Sequence, residues 1–193
     1  MNNTRQKLRN EIRARRQLLT AGQQRRASQA ILERLRRHPL FINSRHIAFY
    51  LANDGEIDPG PLMLLAQQAG KHCYLPVIRP DQSLRFARYR PGDPLQKNRY
   101  GIAEPCGRRG HIYRKNLDIV MMPLVAFDRE GGRLGMGGGF YDRSLPPAGA
   151  GRLTNKPLLM GLAHAFQEVE QLQLEAWDTR LEMIVTDNAL IRV

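Results

Sequence analysis

The sequence predicts an α/β fold in a single domain, with a mixed, mostly parallel sheet and helices on both faces. Two apolar strand patterns, residues 46–52 and 72–78, flank a helical pattern at residues 62–69, and this order is typical of a β-α-β unit with parallel strands. The most apolar segment, residues 117–126, is expected to be a central strand of the same sheet. Since no repeat or linker interrupts the chain, residues 1–193 are expected to form one domain.

Residues 1–38 are predicted to be a basic helical arm packed on this domain. They contain 11 Lys and Arg residues against 2 acids, whereas the other 155 residues contain 19 and 16. Arginine side chains share one flank of a first helix over residues 4–19, beside an apolar stripe. These arginines are Arg5, Arg9, Arg13 and Arg16. The flank can reach an anion such as triphosphate, contact a nucleic acid, or face only water.

The other elements follow from caps and periodicity. A second helix is expected to begin after Thr20, because Gln23 stands at the spacing of a capping box. Glu56 follows the first strand, and ligands of open α/β sheets bind at the carboxyl edge where that strand ends. A solvated loop acid is the alternative for this residue. The further elements are strands at residues 84–90, 158–164, 183–186 and 189–193 and a helix at residues 168–175.

The stretch from Arg133 to Arg143, RLGMGGGFYDR, has four glycines within five residues. Glycine tolerates positive φ and leaves backbone N–H groups open to a ligand, so successive amides can form a cradle for phosphate. A short helix starting at Phe140 would add its positive end to the cradle. Asp142 offers an oxygen ligand to Mg²⁺, and Arg133 and Arg143 offer guanidinium groups to phosphate. A flexible loop with a solvated Asp–Arg pair is the alternative.

Several classes of protein are disfavoured by what the sequence lacks. No apolar run approaches the roughly 20 residues that span a bilayer, and the arginine-rich N-terminus has no secretory signal pattern. Cys73 and Cys106 have no metal-binding spacing, so a reduced, cytoplasmic setting is expected. No Ser, Cys or His stands in a nucleophile motif, and the glycine stretch matches neither the Walker nor the dinucleotide pattern. The available chemistry is positioning and charge neutralisation, on which phosphoryl transfer depends.

The glycine stretch and its surroundings carry a family resemblance. Residues 133–142, together with the upstream residues 123–128 (PLVAFD), closely resemble the 5-formyltetrahydrofolate cyclo-ligase family, also called 5,10-methenyltetrahydrofolate synthetase. Supporting segments follow in the expected order along nearly the whole chain: Arg5-Gln-Lys-Leu-Arg9, Leu51 with residues 54–58, Tyr74-Leu-Pro76, Glu104-Pro105 and Trp177-Asp178. The resemblance implies an enzyme that uses ATP and Mg²⁺ to convert 5-formyltetrahydrofolate to 5,10-methenyltetrahydrofolate. ADP and phosphate would be released after phosphorylation of the formyl oxygen.

Carried over residue by residue, the resemblance implies a site made by the N-terminal arm, the first strand's loop and the glycine stretch. The ATP-binding residues would be Arg5, Arg9, Arg133, Leu134, Gly135, Met136, Gly137, Gly138, Gly139, Phe140 and Tyr141. The folate-binding residues would be Leu51, Glu56, Met136, Gly137, Gly138, Gly139 and Phe140. The Mg²⁺ ligands would be Asp142 and Asp178, and the catalytic residues would be Arg133, Arg143 and Asp142.

One departure from the family and two alternative functions complete the prediction. Some members carry a basic residue at the position of Met136 or Gly138, and this chain does not, so no single arginine is assigned to the transferring phosphate. Nucleic-acid binding by the arm is one alternative, although no aromatic residue precedes Phe41 to stack on single strands. A nucleotide- or sugar-phosphate-binding module without ring-closing activity is the other. The expected partners are 5-formyltetrahydrofolate and ATP, with no membrane or nucleic acid, and a monomer is expected.

Overall fold

The computed structural model describes residues 2–106, 110–145 and 157–193, so Met1 of the predicted arm lies outside the described residues. The helices are α1 (Asn2–Gln17), α2 (Ala21–Leu35), α3 (Pro39–Asn43), α4 (Gly60–Gln68) and α5 (Phe140–Ser144). The strands are β1 (His46–Ala48), β2 (His72–Ile78), β3 (Leu84–Arg88), β4 (Leu95–Lys97), β5 (Ala103–Pro105), β6 (His111–Ile112), β7 (Ile119–Pro123), β8 (Ala126–Phe127), β9 (Arg133–Leu134), β10 (Leu158–Ala163), β11 (Met183–Thr186) and β12 (Leu190–Arg192). Short 3₁₀ helices span Arg114–Asn116 and Ala165–Gln167.

A sheet of eight strands organises the described part of the chain, in the order β12-β11-β10-β7-β1-β2-β3-β6. Neighbouring strands from β11 to β2 pair in parallel. The pairs β11–β12, β2–β3 and β3–β6 are antiparallel. The parallel pairing of β1 with β2 sets Ile47 opposite Cys73 and confirms the predicted β-α-β unit. β7 lies between β1 and β10, so the most apolar segment is a central strand.

Both faces of the sheet are covered, which confirms the predicted α/β class. On one face, Ile31 of α2 and Leu62 of α4 pack in one buried cluster with Met121 of the sheet. Burying a side chain of this kind contributes about 1.5–3 kcal/mol to folding. On the other face, Phe127 of the β8–β9 hairpin and Leu145 after α5 form a second buried cluster. This second face therefore carries the hairpin and the short helix on either side of the glycine stretch.

The start of α2 agrees with its predicted cap. Thr20 Oγ1 accepts a hydrogen bond from the backbone N–H of Gln23 at 3.3 Å, and Gln23 Oε1 accepts from the backbone N–H of Thr20 at 2.8 Å. The two bonds satisfy N–H groups that the first helical turn cannot pair. In the described residues, no helix is long and apolar enough to cross a membrane.

The helix predicted at residues 168–175 is wrong. Its backbone N–H groups bond to other parts of the chain instead of to carbonyl oxygens four residues back. Val169 N–H donates to Phe127 O at 2.8 Å, and Leu172 N–H donates to Asp128 Oδ2 at 2.9 Å. The segment therefore lies along the β8–β9 hairpin in irregular backbone.

Two of the predicted strands are also shorter than their apolar patterns. The pattern at residues 46–52 forms a ladder only over β1, which ends at Ala48. The pattern at residues 117–126 ends as β7 at Pro123, after which the chain turns into the β8–β9 hairpin. Phe49 and Tyr50 after β1, and Leu124 and Val125 after β7, stay buried, so hydrophobicity alone could not mark where the ladder ends.

Candidate functional site

The glycine stretch follows a hairpin whose base is fixed at the carboxyl edge of the sheet. β7 ends at Pro123, and the hairpin that follows is closed by the Val125 N–H bond to Leu134 O at 2.7 Å. The side-chain amide of Gln167 donates to the carbonyl oxygens of Leu124 and Val125, both at 2.8 Å. The strand exit is thus held by the segment after β10, and the glycines begin directly beyond this fixed base.

The glycine loop, residues 135–139, needs glycine for its backbone conformation at two positions. Gly137 has φ 96° and Gly139 has φ 64°, which are values that side chains disfavour. A Cβ atom at Gly137 would also lie 3.7 Å from the guanidinium carbon of Arg9. Gly139 leads into α5, as the sequence predicted for a helix starting at Phe140.

The N-terminal half of α1 lies against this loop and against Asp178. Arg5 Nη2 is 2.6 Å from Asp178 Oδ2, and Arg9 Nε donates to the carbonyl oxygen of Gly135 at 2.9 Å. Burial and the positive charge of Arg5 lower the pKa of Arg9. Two neighbouring guanidinium groups in partly desolvated surroundings favour an anion beside them. The two arginines predicted to bind ATP are therefore beside the loop predicted to bind it.

Asp142 and Asp178, the predicted Mg²⁺ ligands, lie close together although they are far apart in sequence. Asp142 Oδ1 accepts from the backbone N–H of Thr179, the residue after Asp178, at 3.0 Å. The same oxygen lies 2.5 Å from Arg133 Nη2, while Asp178 Oδ2 binds Arg5. These contacts use one oxygen of each carboxylate.

This pair of acids fits Mg²⁺ without forming a closed metal cage. Within residues 2–106, 110–145 and 157–193, no group of three or more His, Cys, Asp or Glu side chains could hold a metal ion. Proteins commonly bind Mg²⁺ through one or two carboxylates, and waters and substrate phosphates complete its shell. Asp142 and Asp178 would hold the ion in this way, next to the glycine loop.

The two arginines predicted to act on phosphate have different surroundings. Arg133 is 7% exposed and is paired with Asp142, and its Nε is buried without a hydrogen-bond partner among the described residues. Arg143 is exposed and donates to the carbonyl oxygen of Gly138, so it closes over the outer side of the loop. Arg133 is therefore placed to hold Asp142, and its Nε–H group remains available to another acceptor. Arg143 is placed to hold the loop backbone through Gly138.

Glu56 is half-buried in the turn that follows β1. Its Oε2 accepts a hydrogen bond from the backbone N–H of Asn53 at 3.1 Å, and burial raises its pKa to about 7. Burial raises the pKa of Tyr141, and the charge of Glu56 raises it further. Glu56 is therefore within electrostatic reach of the stretch that follows the loop. Leu51 is half-buried and packs against the core near the same turn. Glu56 therefore lies near Tyr141, which is one of the predicted ATP-binding residues.

The residues that fix the Glu56 turn were missed by sequence reasoning. Arg16, predicted on a flank shared with more exposed arginines, is 0% exposed and binds Asp54 at 2.7 Å. His164 Nε2 lies 3.2 Å from the carbonyl oxygen of Gly55. The Asp54-Gly55 pair predicts a turn, and arginines one helical turn apart predict a common flank of a helix. Neither pattern shows that the turn and the helix flank contact each other.

Tyr100 is another residue that the sequence analysis did not single out. It is 49% exposed, and its ring lies edge-on to Phe140 with the ring centroids 5.3 Å apart. The tyrosine comes from the loop between β4 and β5. Exposed ring surface therefore flanks the end of the glycine loop.

Two clefts on the described surface lie outside the cluster of Glu56, Asp142 and Asp178, although Arg143 lines the second of them. One of about 330 Å³ lies beside His164 and Phe166, and one of about 680 Å³ lies between β3 and α5. Neither is lined by Glu56 or Asp142. The candidate site is therefore inferred from the charged groups beside the glycine loop and not from these two clefts.

Known proteins resemble this chain over nearly its whole length. Residues 1–187 match the model of the 5-formyltetrahydrofolate cyclo-ligase family. The 5-formyltetrahydrofolate cyclo-ligase of Haemophilus influenzae is 42% identical over 92% of this chain and 94% of its own, and that of Escherichia coli K12 is 41% identical over 91% and 96%. The NMR structure of Aquifex aeolicus 5,10-methenyltetrahydrofolate synthetase matches with a TM-score of 0.82 and 30% identity, covering 97% of this chain and 92% of that one. The chain belongs to the 5-formyltetrahydrofolate cyclo-ligase family.

Proposed function

We propose that the enzyme converts 5-formyltetrahydrofolate to 5,10-methenyltetrahydrofolate at the expense of ATP, with Mg²⁺, and releases ADP and phosphate. One observation carries the proposal. The glycine loop is bordered by Arg9 and by the Asp142–Asp178 pair, and the stretch after it is within electrostatic reach of Glu56. A nucleotide's terminal phosphate and a reduced pterin can therefore meet across one short backbone segment.

The reaction needs no nucleophile from the protein. The formyl oxygen attacks the γ-phosphorus, the bond from that phosphorus to the bridging oxygen breaks, and ADP leaves. The formyl carbon is now activated, so N10 of the folate attacks it and loses its proton. The carbon–oxygen bond then breaks, and the original formyl oxygen leaves as part of the phosphate. The enzyme's task is to bring the two substrates into line and to stabilise charge on the transferring group.

On the nucleotide side, the residues have separate tasks. Backbone N–H groups of residues 135–139 and the guanidinium of Arg9 would bind phosphate oxygens. Asp142 and Asp178 would hold Mg²⁺, which neutralises charge on the phosphates when it is bound. Arg133 keeps the Asp142 carboxylate in place through its contact at 2.5 Å.

On the folate side, Glu56 and the aromatic rings would orient the pterin. An ionised Glu56 would accept hydrogen bonds from pterin N–H groups in partly desolvated surroundings, where such bonds are strong. Phe140, with Tyr100 edge-on to it, would offer ring surface to the bound folate. Leu51 would add apolar contact near the same turn.

The test of the proposal is the near-ultraviolet absorbance of methenyltetrahydrofolate. We expect the absorbance to appear only when protein, ATP, Mg²⁺ and 5-formyltetrahydrofolate are all present, with one ADP formed for each folate. Omitting each component in turn is the control. Product formation without ATP, or ADP release without ring closure, would contradict the proposed reaction.

Arg9→Ala is expected to raise the KM for ATP by about 10- to 100-fold and to change the KM for folate much less, because a charged donor to phosphate is lost. Steady-state kinetics with each substrate varied in turn measures the two effects. Arg25→Ala, at an exposed position on α2, is a control for removal of positive charge. Equal losses for both substrates would instead assign Arg9 to holding the loop through Gly135.

A further inference from the structure

The turn that carries Glu56 is fastened to α1 by a single carboxylate. Asp54 Oδ2 accepts hydrogen bonds from Arg13 Nε at 2.6 Å and from Arg16 Nη2 at 2.7 Å. Asp54 Oδ1 accepts from Gln17 Nε2 at 3.1 Å. The three donors are spaced three and four residues apart, so they share one face of the helix. One acid thus holds the whole C-terminal end of α1.

Of these three contacts, the ion pair between Asp54 and Arg16 is the one that water cannot replace, because Arg16 is buried. Arg16 is 0% exposed, and its Nη1 donates to the carbonyl oxygen of Leu124 at 3.2 Å, just beyond β7. Among the described residues, Asp54 is the carboxylate in ion-pair contact with this buried guanidinium. A buried charge without its partner is strongly unfavourable, so Asp54 is held at this position by the need to match Arg16.

The backbone of the turn transmits this constraint to Glu56. Asp54 has φ 50° and Gly55 has φ 73°, and a Cβ at Gly55 would lie 3.2 Å from both Cβ and O of Arg16. Glu56 N–H donates to Asn53 O at 3.0 Å, while Glu56 Oε2 accepts from Asn53 N–H. The carboxylate of Glu56 is therefore folded back on a turn whose conformation depends on its contact with α1.

We propose that Asp54 is a positioning residue for ring closure, which acts by fixing the Glu56 turn on the same helix that fixes the glycine loop. α1 touches the loop through Arg9 and the turn through Arg16, so one rigid element sets the distance between the two binding regions. The inference rests on the proposed function, because it takes Glu56 to be the acid that binds the pterin.

The charges of Asp54 and Arg16 both act on the pKa of Glu56, so the proposed role of Asp54 predicts a change in pH dependence. Burial raises the pKa of Glu56, and the hydrogen bond from Asn53 lowers it. Smaller effects follow, because the charge of Arg16 lowers this pKa and the charge of Asp54 raises it. Tyr50 and Tyr141 also face Glu56 electrostatically, and both are neutral near pH 7 because burial raises the pKa of each. If only the charge of Asp54 is removed, the positive charge of Arg16 still acts on Glu56 and nothing offsets it. The pKa of Glu56 should therefore fall.

Asp54→Asn is expected to lower kcat/KM for 5-formyltetrahydrofolate by about 10- to 100-fold, with a much smaller change in the KM for ATP, because the acid is displaced from the reacting centre. The rise of folate affinity with pH should shift to lower pH than in the wild type. Glu33→Gln, which removes an exposed ion pair with Arg36, is the matched control and should change neither quantity.

A second variant separates positioning from loss of fold. In Asp54→Asn/Arg16→Met both members of the buried pair are neutral, so folding is restored if the single variant unfolds, and circular dichroism checks this. We expect the folate defect to persist in the double variant while the pH dependence returns toward that of the wild type. Wild-type folate kinetics in either folded variant would overturn the inference. Absence of methenyltetrahydrofolate formation by the wild type would instead overturn the proposed function.

Discussion

Glu56→Gln is expected to stabilise the free protein above about pH 7 and to leave its stability at about pH 4 nearly unchanged. Burial raises the pKa of Glu56 to about 7, well above its ordinary value of 4.5. Between these values the folded state binds more protons than the unfolded state, so the contribution of Glu56 to the free energy of unfolding falls as the pH rises. Glutamine has no charge to desolvate and removes this loss. Chemical denaturation at the two pH values measures the difference.

The same substitution is expected to weaken the substrate complex. The KM for 5-formyltetrahydrofolate should rise by about 10- to 100-fold, because hydrogen bonds to a charged acceptor are lost, while the KM for ATP changes little. In the wild type, folate affinity should increase with pH through about 7, and in the variant this increase should be absent. Glu170→Gln, at an exposed position, is the control. A larger effect on ATP than on folate would count against placing the pterin at Glu56.

Asp142→Asn is expected to reduce turnover by roughly 100- to 1000-fold, the usual range for loss of one group that stabilises charge in a transition state. Asparagine keeps an oxygen that can accept from Arg133 and from the backbone N–H of Thr179, so the local fold should survive. Turnover is measured over a Mg²⁺ titration. Binding of ADP with and without Mg²⁺, followed by calorimetry, provides a measurement that does not depend on catalysis.

Two further variants decide how the Asp142 result is interpreted. Asp93→Asn, at an exposed loop position, is the charge control and should behave as the wild type. Asp178→Asn should also weaken the effect of Mg²⁺ on ADP binding, because the structure brings the two acids together through Thr179. If the wild-type response to Mg²⁺ survived in both acid variants, neither carboxylate would be a metal ligand.

The sheet could be predicted from the sequence because its inner strands are buried on both faces and read as continuous apolar runs. Residues 72–78 and 183–186 formed strands with the predicted bounds for this reason. Residues 168–175 could not be predicted, because their N–H groups bond to Phe127 and Asp128 across the fold. The spacing of apolar side chains along a segment does not indicate hydrogen bonds to residues that are distant in the sequence.

The site could be predicted only as far as its chemistry is local. The glycine loop was found because its backbone conformations depend on the glycines themselves. Glu56 was singled out by its place after the first strand and Arg9 by its place on the basic helix flank. The family resemblance then supplied their expected ligands and added Asp178. The ion pair between Arg133 and Asp142 was not predicted, because it joins β9 to α5 and depends on how the glycine loop between them folds.

The amide of Gln167 has a consequence for the proposed nucleotide site. It bonds both carbonyl oxygens at the exit of β7, so these bonds would have to break before the base of the hairpin could move. In the proposed reaction, adjustment to an incoming triphosphate would therefore fall on residues 135–139. Ordering these residues would cost roughly 1–2 kcal/mol each, which the contacts to phosphate would have to offset. Exchange of ADP for ATP would then need no movement of the sheet.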